Sequence, residues 1–192
     1  MERSKEQGVK GVRNAVLIIA WIAMLIVAHL VRPLYFLVFV TFVPLFLIVD
    51  QAAEKSFLKR LGNISIILFW LALGYLNLKL NGGRGLFIAD VVAGSNPDWL
   101  RWTAYTGYFG GSLWILFVNL FFYITLFRKW QYAPILVIVI LGPILYSYSL
   151  PPDPSLRMEP HEGTGEWIPR TAAWISVLIL LSAIVKELTR KK

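Results

Sequence analysis

The chain has 192 residues, 57% of them hydrophobic and only 16% charged, with a formal net charge of +8 and a mean hydropathy of +0.64. A soluble domain of this length needs more polar surface, so the composition selects a membrane protein. The sequence contains no cysteine, which excludes disulfides, thiolate catalysis and cysteine metal sites together.

The basic leader Arg3, Lys5, Lys10 and Arg13 precedes a first apolar run over 15–31. The run is long and lacks a small-residue cleavage site, so it reads as a retained helix rather than a cleaved signal. Arg32-Pro33 ends it, because proline lacks an amide donor and disfavours helix at the residue before it. A second span is expected over 34–49 with a kink at Pro44, then a charged connection, then a third span over 61–78. From Lys79 to Arg101 the chain turns polar and glycine-rich around a short apolar patch, 86–93. That patch is too short to cross a bilayer and is expected to be interfacial or re-entrant.

A fourth span is expected over 102–127, closed by Arg128-Lys129, and a fifth over 132–150. A proline-rich loop, 151–166, leads to a sixth over 167–185 and a basic tail. Each span approaches the roughly 20 apolar residues that a bilayer demands. The expected architecture is therefore all-α: one polytopic transmembrane domain, 1–192, of about six helices. No internal repeat of the transporter kind is visible.

Charge bias orients the bundle. With both termini in the cytoplasm, thirteen of the nineteen Lys and Arg and five of the eleven acids fall inside. The inner side then carries the whole net charge and the outer side is neutral, the positive-inside pattern. The basic character thus needs no nucleic acid; membrane phospholipid is the expected electrostatic partner.

Few residues suggest chemistry. Gly107 and Gly111 stand four apart, a spacing that lets another backbone approach, and Gly110 and Ser112 widen that small-residue strip. Asn119 lies inside an apolar run, where an amide must bond another helix or line a polar cavity. These five residues form the candidate helix-packing or lipid-binding site. His29 reads as a lone interfacial histidine. The outer residues Asp90, Asp98, Glu159, His161, Glu162 and Glu166 read as solvated loop positions without metal-ligand spacing. Trp99, Trp102, Trp130, Tyr132 and Trp167 fall near span ends as an aromatic belt. No catalytic residue, metal site or cofactor is expected, and no acid sits mid-span as in proton-coupled transporters.

The stretch Tyr105-Thr-Gly-Tyr-Phe-Gly-Gly-Ser-Leu-Trp-Ile-Leu-Phe-Val-Asn119 resembles the membrane domain of apolipoprotein N-acyltransferase. Phe42-Val-Pro-Leu45 and Gly165-Glu-Trp-Ile-Pro-Arg-Thr-Ala172 are similar to further segments of that family, in the same order. The resemblance covers about a third of the chain and implies a multi-pass protein of the bacterial inner membrane. It also implies a departure. The family carries eight membrane helices and a nitrilase-like periplasmic domain holding its catalytic glutamate, lysine and cysteine. Here the loop 151–166 stands in that position, too short to bury a core, and no cysteine exists to form a thioester. The resemblance therefore points to a non-catalytic relative that binds lipid or partner helices. The alternatives are a structural subunit of a larger membrane complex, or the membrane half of an acyltransferase completed by a separate catalytic chain.

Overall fold

Helix dominates because the apolar runs have no polar alternation to support strands, and a helix satisfies its backbone internally. The structure, a computed structural model, describes residues 2–52, 57–81, 88–151 and 167–190. Its elements in order are α1 (Glu2–Leu30), a 3-10 helix (Arg32–Phe39), α2 (Val43–Gln51), α3 (Phe57–Asn81) and α4 (Ile88–Ser95). A second 3-10 helix (Pro97–Ala104), α5 (Gly107–Phe127), a 3-10 turn (Trp130–Tyr132), α6 (Ala133–Ser149) and α7 (Trp167–Arg190) complete it.

Among the described residues, five stretches are long and apolar enough to cross a membrane: Lys10–Leu30, Arg32–Gln51, Gly62–Leu80, Phe109–Phe127 and Trp130–Ser149. Several apolar helices of crossing length make this a helical membrane protein of the multi-pass kind. The expected sixth span corresponds to α7, whose described apolar part, Trp167–Ser182, is shorter.

Several expected boundaries are corrected. The fourth span does not begin at Trp102: residues Pro97–Ala104 form a 3-10 helix, and α5 starts only at Gly107, after a corner. The second span is not one α-helix. Its first half is the eight-residue 3-10 helix, and Pro44 lies in the first turn of α2 rather than at a mid-helix kink. Proline fits there because a first-turn amide has no intrahelical acceptor to lose. The part of α3 long enough to cross a membrane is Gly62–Leu80, and a short helical stretch from Phe57 joins it across a break at Gly62, where φ is +67°. Ser65 Oγ donates to the Gly62 carbonyl at 2.7 Å and steadies the break. The patch expected to be interfacial or re-entrant is α4, with Ile88, Ala89, Val91 and Val92 buried in the bundle.

α5 is the hub. Of its crossing window 61% is buried, against 6% for α1, and α5 packs against α2, α3, α4, α6 and both longer 3-10 helices. α7 lies chiefly along α3, and α1 covers the first 3-10 helix and α2. Phe42, Phe46, Ile115, Leu116, Val118 and Tyr123 form the fully buried centre. Trp70 meets Phe42 edge-on at 4.9 Å and Trp21 at 6.1 Å, while Phe39 meets Trp114 at 5.3 Å. Such T-shaped pairs add to simple burial. Trp114 also donates Nε1–H to the Val139 carbonyl at 2.7 Å, fastening α5 to α6.

Candidate functional site

The site begins where the second 3-10 helix hands over to α5. Arg101 ties that 3-10 helix down: its guanidinium donates to Asp98 at 2.7 Å and to the Leu150 carbonyl at 3.1 Å. Ser147 Oγ adds a bond to the Trp99 carbonyl at 2.8 Å, so the 3-10 helix is laced to the end of α6. The chain then turns at Gly107, whose φ of +65° falls in the left-handed region that favours glycine.

The other two glycines work by close approach. A Cβ on Gly110 would lie 2.0 Å from Thr106 Oγ1 and 2.4 Å from Thr106 Cβ, so the absent side chain makes room for the helix's own N-cap residue. A Cβ on Gly111 would lie 3.1 Å from Ala89 Cβ and 3.3 Å from Thr103 Cγ2. Gly111 is thus the seat on which α4 and the 3-10 helix converge. The glycines that the sequence places on one strip have three separate jobs: corner, cap and seat. Ser112, beside them, is buried, and its Oγ has no hydrogen-bond partner among the described residues; neither do Trp102 Nε1 and Thr106 Oγ1.

About two turns further along α5 from Ser112, Asn119 is fully buried. Its Oδ1 accepts from the Phe42 amide at 2.8 Å, and its Nδ2 donates to the carbonyls of Val38 and Ile115, each at 2.8 Å. The first two partners flank the junction between the 3-10 helix and α2. Changing winding there frees backbone groups, which an apolar interior makes costly to leave unpaired. Asn119 bridges the junction, and Thr41, buried within it, donates to the Leu37 carbonyl at 2.8 Å.

At the other end of α5, Arg128 pairs with Asp50 from α2 and lies 5.8 Å from the Tyr123 ring centroid. Tyr123 packs on Phe46 and Phe127. Sequence reasoning missed this cluster, which joins residues 78 apart; an acid just after one apolar run and an arginine just after another was the available signal.

The other polar candidates are dispersed. His29 Nδ1 lies 2.9 Å from the Leu25 carbonyl of its own helix turn. Asp98 is held by Arg101. Asp90, on α4 and outside the five crossing segments, is pushed up by burial from 3.8 to about 7. Glu159, His161, Glu162 and Glu166 lie outside the described residues. Among the described residues no three His, Asp or Glu side chains group closely enough to hold a metal.

Compared with protein-family models, curated proteins and solved structures, the chain matches none of them.

Proposed function

We propose that this chain is a non-catalytic, six-span protein of the bacterial inner membrane with both termini in the cytoplasm. It resembles the membrane domain of apolipoprotein N-acyltransferase, and it binds lipid or partner helices rather than performing acyl transfer. The observation that carries this reading is the use made of the segment bearing the resemblance. Gly107 turns the chain, Gly110 admits the cap, Gly111 seats α4 and Asn119 bridges a broken span. Each residue builds a membrane scaffold, and none is placed to attack, protonate or ligate a substrate. A scaffold of this kind keeps its use when no catalytic domain accompanies it.

The test is to purify the full chain gently from its own membranes. Native mass spectrometry reads what is retained, and an acyl-transfer assay uses a lipoprotein peptide and phospholipid. Retained phospholipid or a membrane partner, with no transfer, is the expected result. Acyl transfer by the pure chain, or by the chain with a co-purifying nitrilase-like protein, overturns the reading.

A further inference from the structure

The outward face of α7 differs from its neighbours. Ile168, Pro169, Ala172 and Ser176 turn inward and are buried, with Ser176 Oγ donating to the Ala172 carbonyl at 2.7 Å. The opposite face carries Trp167, Arg170, Thr171 and Trp174, all exposed. These positions follow the i, i+3, i+4, i+7 pattern of a single helix face. Below them the same face becomes aliphatic at Leu178 and Leu181. At 1.5 Å per residue, Trp174 lies about 10 Å along the helix from Trp167, with the guanidinium-bearing residue between them.

The exposed side of α6, by contrast, runs through Ile135, Val137, Ile138, Leu141 and Leu145 and ends in Tyr146 and Tyr148, with no charged side chain to meet a phosphate. Arg170 enters neither of the ion pairs formed among the described residues. Two bulky indoles and an arginine also suit a helix partner poorly, because membrane helices meet through small side chains. They suit a headgroup well. A guanidinium presents a planar fork of donors to phosphate oxygens, and indoles favour the level where headgroups meet chains.

We propose that this face of α7 binds the phosphodiester of one phospholipid. Arg170 donates to the phosphate oxygens, Trp167 and Trp174 flank it, and the acyl chains run along Leu178 and Leu181. The proposal deepens the lipid-binding reading above and rests on it.

The experiment is a native mass-spectrometric titration of the full chain in mild detergent. The probes are phosphatidylglycerol and a diacylglycerol of the same chains, which lacks the phosphate. One phosphatidylglycerol is expected to bind, and diacylglycerol at least about five-fold more weakly, in line with one basic residue acting on a lipid phosphate. Arg170→Gln is expected to weaken phosphatidylglycerol by about the same factor, while Arg32→Gln leaves it unchanged. Arg170→Lys, which keeps the charge but not the fork, is expected to fall between, and carries the test if the glutamine variant does not fold. Equal binding by the wild type, Arg170→Gln and Arg170→Lys overturns the α7 site while leaving lipid binding elsewhere intact. Equal binding of diacylglycerol overturns the phosphate's role in the same way. A wild-type chain that retains no phospholipid and instead carries a protein partner on α7 overturns both the site and the lipid reading.

Discussion

Phe42 and Asn119 stand 77 residues apart and share one hydrogen bond of 2.8 Å, the Phe42 amide donating to the Asn119 carboxamide. The same carboxamide donates to Val38, so one side chain spans the place where a 3-10 helix gives way to an α-helix. Replacing it by leucine leaves a buried amide and a buried carbonyl without this partner. Asn119→Leu is expected to destabilise the protein by about 2–4 kcal/mol. Thermal melting in mild detergent, followed by circular dichroism, checks this; an unchanged midpoint removes the clamp from the account.

The glycines of the α5 corner are expected to rank by what a methyl group would meet. Gly110→Ala sets Cβ against Thr106 Oγ1 and Cβ well inside contact distance, so it should cost most and shift the corner itself. Gly111→Ala meets Ala89 at 3.1 Å and should cost about 1–3 kcal/mol by overpacking. Gly107→Ala carries the left-handed strain of its φ of +65°, about 1 kcal/mol. Melting midpoints of the three variants in one detergent test the order.

Asp90 predicts a pH dependence with a definite sign. Its carboxyl is raised to about 7 in the folded protein, against an ordinary 3.8, so between those values the folded state holds the proton more tightly. Stability from this group is fully present below about pH 4 and falls as pH rises toward 7. Asp90→Asn should flatten that decline and melt higher than the wild type at pH 8. Melting curves from pH 4 to 8 decide it; parallel profiles for the two proteins would remove the effect.

The Arg128–Asp50 pair is half exposed, so its contribution should be small and screened. Arg128→Gln is expected to cost less than about 1 kcal/mol, and less again in 1 M salt. A salt-independent loss would instead point to the guanidinium's stacking on Tyr123.

The sequence made legible whatever depends on runs of apolar residues. The apolar stretches of α1, α3 and α6 were readable because length and hydropathy determine a bilayer-crossing helix. The demand for partners at Asn119 was readable too, since an amide in an apolar run cannot go unpaired. What stayed hidden depends on non-local contact. Nothing within 102–127 distinguishes a continuous helix from a 3-10 helix followed by a corner. That choice is made by Arg101 reaching Leu150 and by α4 settling on Gly111. Likewise, residues 34–49 read as α-helix by composition. The 3-10 winding of the first half depends on α1, α4 and α5 packed around it and on a side chain from α5.

That winding alters the reach of the second span. A 3-10 helix rises about 2.0 Å per residue and an α-helix 1.5 Å, so the eight tightly wound residues Arg32–Phe39 add roughly 4 Å to the segment. Arg32–Gln51 can therefore match a hydrocarbon layer thicker than its twenty residues would span as a plain α-helix. Local bilayer thickness becomes a variable to which this protein's junction, and the carboxamide that bridges it, should respond.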